Sequence, residues 1–218
     1  MSEIRWIFFD IGGTLVDESA QEAHIVHTIQ RCFSDFGISY SEDDIFSAMR
    51  LASENYQSPV KAAIRLLSEN EAQSKLIASQ ARYLHNLEIL YSDTLAVLLA
   101  LSEKYKLGII ANQAAGAVAR LEGHGLRQFF SVFALSGELG ISKPDTELFS
   151  IALKDAGCAA RNAAYVGDRL DNDIFPAKSL GFTTVRILQG LAAFQNAKSA
   201  DYEPDFTIES LSQLLDIF

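Results

Sequence analysis

The sequence contains little cysteine. Two cysteines occur among 218 residues, Cys32 and Cys158, and they lie far apart without a metal-binding or redox spacing. A disulfide framework and a cysteine-ligated metal site are therefore excluded. We expect both side chains to be reduced thiols in a cytoplasmic protein.

Positive charge and long apolar runs are also scarce. The chain carries 18 Lys and Arg against 28 Asp and Glu, a formal net charge of −10. Because binding to a phosphate backbone depends on clustered Lys and Arg, this balance disfavours a nucleic-acid partner. No apolar run approaches the ~20 residues of a membrane span, and no charged, apolar, small-residue leader opens the chain. We therefore expect neither a nucleic-acid nor a membrane partner.

Several short apolar runs occur in place of a long one. They span residues 4–9, 107–111, 130–135, 163–166 and 182–187. All five are continuous rather than alternating, which is typical of parallel strands covered on both faces. Helical patterns separate several of them, at residues 93–105, 115–123, 145–156 and 173–180. This alternation predicts an α/β fold with a parallel sheet and right-handed crossovers.

Residues 18–90 interrupt the alternation, because they contain helical patterns and no convincing strand. Ser41 and the acids that follow it are typical of a helix start. We interpret residues 18–90 as an all-helical domain inserted after the first strand, and residues 1–17 and 91–218 as one α/β core. The length of 218 residues allows a core with a smaller inserted domain. Residues 188–204 are expected to form a partly irregular surface connection.

Polar residues follow three of the predicted strands. They are, in chain order, Asp10, Ala111 with Asn112, and Gly167 with Asp168. In an open parallel sheet, ligands collect at the carboxyl ends of the strands. Residues far apart in the sequence are therefore expected to meet at one edge of the sheet.

Further charged residues lie close to these strand ends. Asp171 and Asp173 come shortly after Asp168, and Lys143 lies just before a predicted helix. Several carboxylates that converge near one lysine suit an anionic substrate and a divalent cation that prefers oxygen ligands. Magnesium with a phosphate group is the natural pair.

Four sequence blocks resemble the motifs of the haloacid dehalogenase-like hydrolases, in the order and approximate spacing of that family. They are "FFDIGGTL", "IIAN", "SKPDTELF" and "YVGDRLDNDIFPAKSLGF", and with the helical insert they cover nearly the whole chain. The last block is the most specific, because a second aspartate follows the glycine–aspartate pair after five residues. The resemblance implies a Rossmann-like core with an inserted helical cap, Mg²⁺ as cofactor, and phosphatase activity on a small phosphorylated metabolite.

The resemblance also implies a role for individual residues. In the phosphatases of the family, the residue that matches Asp10 is the nucleophile and forms an aspartyl-phosphate, and the residue that matches Lys143 neutralises the phosphoryl oxygens. The implied metal ligands are Asp10, the Gly12 carbonyl, Asp168 and Asp173. The implied phosphate-binding residues are Gly13, Thr14, Ala111, Asn112 and Lys143.

The chemistry of these residue types supports the implied roles. A carboxylate attacks phosphorus only when its charge and that of the phosphate are offset, which Mg²⁺ and a lysine can do. A covalent intermediate then splits one difficult displacement into two easier ones. Gly13 allows a tight turn in which backbone N–H groups can donate to a phosphate.

Two positions depart from the family pattern. The phosphatases of the family carry a second aspartate two residues after the nucleophile, where this chain has Gly12. That aspartate protonates the leaving alcohol, and the loss of general acid–base catalysis typically costs ~10²–10⁴ in rate. Ala111 stands where the family usually has a Ser or Thr that binds the phosphoryl group. The sequence thus predicts an active site that keeps its metal ligands and lacks its proton donor, and hence a slow phosphatase.

Other functions stay open on the sequence alone. One is a non-catalytic protein that binds phosphate and metal. A dehalogenase also lacks the second aspartate, but it needs no metal, and the "GDRLDND" block disfavours it. A phosphonate hydrolase needs a lysine in the cap, which offers only Lys61 and Lys75.

A few side chains have two interpretations each. Arg169 either binds substrate or forms a surface ion pair, and Asp171 either joins the metal site or caps the following helix. His24 and His27 are one helical turn apart, but no third metal ligand lies near them in the sequence. We expect both histidines to be ordinary side chains of the helical domain.

Overall fold

Eight strands are present in the computed structural model, which describes residues 3–218. They are β1 (Trp6–Phe9), β2 (Val16–Asp17), β3 (Ile89–Leu90), β4 (Lys106–Ala111), β5 (Phe130–Leu135), β6 (Ala163–Gly167), β7 (Thr183–Ile187) and β8 (Phe206–Ile208). Six of them form one sheet in the order β5-β4-β1-β6-β7-β8, and every neighbouring pair in it is parallel. The strands β2 and β3 form a separate two-stranded sheet.

The α-helices of residues 3–218 account for most of the remaining regular structure. They are α1 (Ser19–Asp35), α2 (Glu42–Glu54), α3 (Pro59–Leu67), α4 (Glu71–Gln80), α5 (Thr94–Ser102), α6 (Ala117–Gly123), α7 (Ser136–Leu139), α8 (Thr146–Ala156) and α9 (Phe175–Leu180). A π-helical turn, Leu170–Ile174, comes directly before α9. Within residues 3–218, no helix combines the length and the apolar character needed to cross a membrane.

The large sheet belongs to the first of two compact units, which comprises residues 3–16, 90–189 and 197–218. Its central strands are buried on both faces. Ile7 and Phe9 of β1 pack into one apolar cluster, and Trp6 and Phe8 pack into another. This two-sided burial explains the continuous apolar runs, and the predicted α/β fold with a parallel sheet is confirmed.

The second unit comprises residues 17–89 and 190–196, and it contains α1 to α4. Ile29, Phe33 and Ile64 are completely buried in its apolar core. The start of α2 is fixed by a capping box, in which the Ser41 hydroxyl accepts the Asp44 N–H and the Asp44 carboxylate accepts the Ser41 N–H. The helix start predicted at Ser41 is confirmed.

Residues 190–196 differ from the predicted surface connection. The Ser53 hydroxyl of α2 donates to the Leu191 carbonyl at 2.9 Å, and the Gln195 amide donates to the Ser53 carbonyl at 3.1 Å. The Leu191 side chain joins the apolar core of the helical unit and is only 6% exposed. This stretch, which the sequence assigned to the core domain, therefore packs with the helices.

The remaining differences concern short elements. The two-residue strands β2 and β3 were not predicted, and β3 lies at the end of residues 18–90, which were expected to be all helical. The strand β8 was not predicted either, because only Ile208 of its three residues is buried and no apolar run marks it. The helix predicted from residue 173 begins at Phe175, since the π-helical turn occupies the positions before it.

Candidate active site

Asp10 lies at the carboxyl edge of the sheet. It follows β1 directly, and its N–H donates to the Val166 carbonyl of β6 at 2.9 Å. This bond continues the pairing of β1 with β6 by one residue. The Asp10 carboxyl is therefore held beside the residues that follow β6, as the sequence predicts for strand ends that meet at one edge.

Lys143 contacts the Asp10 side chain. Its Nζ lies 2.9 Å from Asp10 Oδ1 and 2.6 Å from Asp173 Oδ1, and its side chain is 2% exposed. Burial alone would lower the pKa of the ammonium group, but the charges of the two carboxylates hold this pKa above its ordinary value. Lys143 therefore stays protonated inside the site.

Three carboxylates converge around this lysine. Asp10, Asp168 and Asp173 each offer an oxygen, and these oxygens lie within 4.8 Å of one another. Burial, with the charge of Asp173 added, raises the pKa of Asp10 to about 6 against the opposing effect of Lys143. Burial and the two neighbouring acids also raise the pKa of Asp168 well above its usual range. One lysine is therefore too few to balance three ionised carboxylates.

Asp173 behaves differently from the other two acids. Although burial opposes ionisation, the charge of Lys143 and the hydrogen bonds that Asp173 accepts lower the pKa of its carboxyl. A group of buried carboxylate oxygens with unbalanced charge suits a hard divalent cation. The residues present therefore fit Mg²⁺.

The turn after β6 brings Asp173 back to the sheet edge. The Ile174 N–H donates to the Arg169 carbonyl five residues before it, at 3.1 Å, which is the bond of a π-helical turn. The Asp173 N–H donates to the same carbonyl at 3.1 Å, and the Arg169 N–H donates to Asp173 Oδ2 at 2.9 Å. Gly167 makes this approach possible, because a Cβ there would lie 2.6 Å from Asp173 Cγ. Single π-helical turns of this kind are frequent at functional sites.

Gly13 and Thr14 lie in the loop after Asp10. The Gly13 N–H donates to the Val16 carbonyl at 2.9 Å, and Gly13 has a φ of +64°. A Cβ at Gly13 would lie 2.7 Å from Asp168 Oδ2. The Thr14 side chain is fully buried, and its hydroxyl has no hydrogen-bond partner within residues 3–218. The phosphate-binding roles of both residues, and the Gly12 carbonyl as a metal ligand, stay predictions.

Ala111 and Asn112 lie at the end of β4. Ala111 is fully buried, and it pairs with Leu135 of β5. The Asn112 side chain reaches the lysine loop, where its Oδ1 accepts the Lys143 N–H at 2.7 Å and its Nδ2 donates to the Lys143 carbonyl at 2.9 Å. The structure thus places this amide on the backbone of Lys143, and phosphate binding by either residue stays a prediction.

Tyr165 belongs to the site, although its sequence context predicts no role for it. Its hydroxyl lies 3.0 Å from Lys143 Nζ, 3.0 Å from Asp173 Oδ1 and 2.9 Å from the Ile110 carbonyl. Burial, followed by the charge of Asp173, raises the pKa of this phenol well above its usual range. The one sequence signal was a tyrosine two residues before the glycine–aspartate pair.

Arg169, Asp171 and the two histidines do not belong to the set of three converging carboxylates. Arg169 donates to both oxygens of Asp171, at 3.1 and 2.8 Å, so these two side chains form an ion pair with each other. His27 Nδ1 lies 3.6 Å from Glu42 in the helical unit. Among the described residues, the group able to hold a metal contains neither histidine.

Comparisons with known proteins find relatives that align over nearly the whole chain. A sequence model of the family described as haloacid dehalogenase-like hydrolase matches residues 7–187. The glyceraldehyde 3-phosphate phosphatase of Pyrococcus furiosus is 30% identical over 232 residues, which covers 100% of this chain and 94% of the relative. The enzyme of the same name from Methanopyrus kandleri is 28% identical over 98% of this chain and 97% of its own length.

A solved structure shares the fold over the same length. The HAD-hydrolase YfnB of Bacillus subtilis, bound to magnesium, superposes with a TM-score of 0.72 at 21% identity, and 99% of each chain is covered. Since the identity is low, this similarity concerns the fold alone.

The substitution Gly167→Ala is expected to displace Asp173, because the added Cβ would overlap the Asp173 side chain. Overpacking of this kind lowers the free energy of unfolding by about 1–3 kcal/mol, which denaturant unfolding measures. Gly123→Ala is the matched control, since a Cβ there meets nothing within 4 Å. Equal unfolding midpoints for the two variants would contradict this account of Gly167.

Mg²⁺ is expected to stabilise the protein against heat through the three carboxylates. A ligand at 100 times its Kd stabilises the folded state by about 2.7 kcal/mol, which a thermal unfolding scan with and without the ion detects. Asp168→Asn should remove most of this gain. Without metal, this variant should be at least as stable as the wild-type protein. It removes a carboxyl whose ionisation is opposed by burial and by the neighbouring acids.

Asp171→Asn is the matched control for that scan. The Asp171 carboxylate binds Arg169 and is not a member of the three-carboxylate group. The variant should therefore keep the stabilisation by Mg²⁺. A similar loss in both variants would argue against a specific site at Asp168.

Proposed function

Since the chain belongs to the haloacid dehalogenase-like hydrolase family, we propose that it is a Mg²⁺-dependent phosphatase with Asp10 as nucleophile, acting on small phosphorylated metabolites. Relatives that align over almost the full length are named as phosphatases. The observation that carries the proposal is the contact of the buried Lys143 ammonium with Asp10 Oδ1, at 2.9 Å. This contact places a fixed positive charge beside a carboxylate at the sheet edge.

Asp10 performs the first displacement. Its carboxylate attacks the phosphorus atom, the bond from phosphorus to the leaving-group oxygen breaks, and an aspartyl-phosphate forms. Water then attacks this phosphorus, which releases inorganic phosphate and restores the carboxylate. Because the pKa of Asp10 is about 6, most of this carboxyl is ionised at neutral pH even before other charges join the site.

Lys143 stabilises the charge that develops during this displacement. Its ammonium group is protonated and buried, and it already contacts the attacking carboxylate. A fixed positive charge in a site that excludes water interacts more strongly with phosphoryl oxygens than the same charge does in solution. Lys143 therefore lowers the repulsion between the nucleophile and the substrate.

Asp10, Asp168 and Asp173 are the proposed side-chain ligands of Mg²⁺, together with the Gly12 carbonyl. When bound, the ion supplies positive charge that offsets the repulsion between a carboxylate and a phosphate. The raised pKa values of Asp10 and Asp168 support this assignment, because acids that are close together and shielded from water resist ionisation until a cation compensates them.

Gly12 determines which substrates react fastest. A glycine has no side chain that can protonate a leaving oxygen, so the leaving group departs as an anion or takes its proton from water. Aryl and acyl phosphates have weakly basic leaving groups and need little protonation. We therefore infer that such esters react faster than alkyl phosphates, for which the missing acid costs ~10²–10⁴ in rate.

The names of the relatives indicate which metabolites to test first. The two relatives from Pyrococcus furiosus and Methanopyrus kandleri are named for glyceraldehyde 3-phosphate, and a 26% identical relative from Escherichia coli is named as a pyrimidine 5'-nucleotidase. Both names describe small phosphate esters. A panel of sugar phosphates and nucleotides therefore samples the proposed substrate class.

The other candidate functions have less support in the structure. Displacement at carbon by a dehalogenase needs no metal, whereas the three carboxylates here could hold one. Phosphonate hydrolysis needs an activated lysine in the helical unit, but Lys61 and Lys75 are exposed there and Lys75 pairs with Glu71 at 2.7 Å. We therefore propose neither activity.

Purified protein with Mg²⁺ is expected to hydrolyse p-nitrophenyl phosphate. Asp10→Asn should lower kcat by more than about 100-fold, because an amide is a poor nucleophile. Release of nitrophenolate, followed by absorbance, measures both rates. If the wild-type protein is no faster than Asp10→Asn on any aryl or acyl phosphate, the proposed function is wrong.

Gly12→Asp is expected to raise kcat on alkyl phosphates by up to ~10²-fold, because it restores a proton donor beside the nucleophile. The effect on aryl phosphates should be small, since their leaving groups need no proton. Gly12→Asn is the matched control, because it has the same shape without an acidic proton. Equal rates for the two variants on an alkyl phosphate would show that the missing acid does not limit the reaction.

A further inference from the structure

We propose that Asn112 and Tyr165 are positioning residues that hold Lys143 at its backbone and at its ammonium group, respectively. This inference rests on the proposed function, in which Lys143 neutralises the nucleophile and the phosphoryl group. It also reassigns Asn112, for which the sequence predicts direct phosphate binding. Both residues act through Lys143 and need not touch the substrate.

Asn112 attaches the lysine loop to the end of β4. Its side-chain amide pairs with both backbone groups of one residue, since Oδ1 accepts the Lys143 N–H at 2.7 Å and Nδ2 donates to the Lys143 carbonyl at 2.9 Å. Lys143 lies between α7 and α8 and belongs to no strand of the sheet. The amide therefore makes with Lys143 the two backbone hydrogen bonds that a residue within a sheet makes with its neighbouring strand.

Tyr165 completes the set of acceptors around the ammonium group. Lys143 Nζ has three protons, and it contacts Asp10 Oδ1, Asp173 Oδ1 and the Tyr165 hydroxyl at 2.9, 2.6 and 3.0 Å. Two of these acceptors are carboxylates, and the phenol is the third. One acceptor per proton fixes the direction of the lysine side chain.

The phenol is itself fixed. Its single proton can be donated to the Ile110 carbonyl at 2.9 Å or to Asp173 Oδ1 at 3.0 Å. The Tyr165 ring packs edge-on against Phe149, with ring centroids 5.0 Å apart. Ile110 and Asn112 are both at the end of β4. This strand end therefore contacts the Lys143 backbone through Asn112, and it contacts the Lys143 ammonium group through Tyr165, whose hydroxyl lies against the Ile110 carbonyl.

Such fixing matters because a lysine side chain is flexible. Four rotatable bonds separate the ammonium group from the backbone, and holding them in one arrangement has an entropic cost. A displacement of about 1 Å in a catalytic group can lower the rate by ~10²-fold. Residues that remove this freedom before substrate binds therefore contribute to the rate without contacting phosphate.

A double-mutant cycle distinguishes positioning from direct binding. Asn112→Ala and Tyr165→Phe are made in the wild-type protein and in Lys143→Ala, and kcat for p-nitrophenyl phosphate and the Kd of inorganic phosphate with Mg²⁺ are measured. In the presence of Lys143, each change should lower kcat by about 10-fold, the usual effect of a hydrogen bond to a charged or positioning group. In Lys143→Ala, neither change should alter kcat or the Kd by more than about 2-fold.

Asn162→Ala is the matched control for the cycle. The Asn162 amide makes a comparable bond to the Glu3 carbonyl at 2.8 Å, outside the site, and its loss should leave kcat and the phosphate Kd unchanged. If Asn112→Ala weakens phosphate binding by the same factor with and without Lys143, Asn112 is a direct ligand and the proposal is wrong. If Tyr165→Phe lowers kcat by the same factor with and without Lys143, the proposal that Tyr165 positions Lys143 is wrong.

A structural measurement separates this inference from the proposed function. In crystals of Asn112→Ala and Tyr165→Phe, Lys143 Nζ should move away from its position 2.9 Å from Asp10 Oδ1. An unchanged ammonium position in both variants would overturn the inference, whatever the enzyme hydrolyses. Absence of phosphatase activity in the wild-type protein, with a displaced ammonium in the variants, would instead count against the proposed function alone.

Discussion

The contact of one buried ammonium group with two carboxylates, one fully buried and one 14% exposed, is the interaction on which the site depends. Taking these charges out of water is costly, and the attraction between them compensates for this only when their geometry is close. Lys143 achieves that geometry with Asp10 and Asp173 at 2.9 and 2.6 Å. Asp168 is left without an equal partner, and its raised pKa expresses this imbalance. The protein is thus built with a carboxyl that ionises readily only when an additional cation joins the site.

The sheet order explains why these groups meet. Strands β4, β1 and β6 are neighbours and run parallel, so the residues that follow them reach the same edge. Each strand supplies a different part of the site: Asn112 from β4, Asp10 from β1, and Asp168 from β6. Gly167 then allows the chain to fold back closely enough for Asp173 to join them. Most of the charge arrangement is therefore set by strand order and by one position without a side chain.

This dependence also determines what the sequence could predict. Long buried strands and strand-end acids leave local patterns, and the main strands, the parallel sheet and the convergence of Asp10 with Asp168 were predicted from them. A short edge strand such as β8, with one buried residue, leaves no such pattern. The packing of Leu191 against Ser53 joins residues that are 138 positions apart, and no local signal encodes it. The role of Tyr165 was missed for the same reason.

Residue 12 is a glycine and cannot protonate the leaving group. The other candidates for this proton donor are the neighbouring side chains Tyr165 and Lys143. Tyr165 is a poor donor to a leaving group, because burial raises the pKa of its hydroxyl well above the usual range and its bonds are made within the site. Lys143 is equally unsuited, since its pKa is raised and its protons already have acceptors. In the proposed reaction these groups therefore stabilise charge and do not transfer protons. On this basis the rate should follow the basicity of the leaving group, because neither side chain supplies a proton and protonation is left to water.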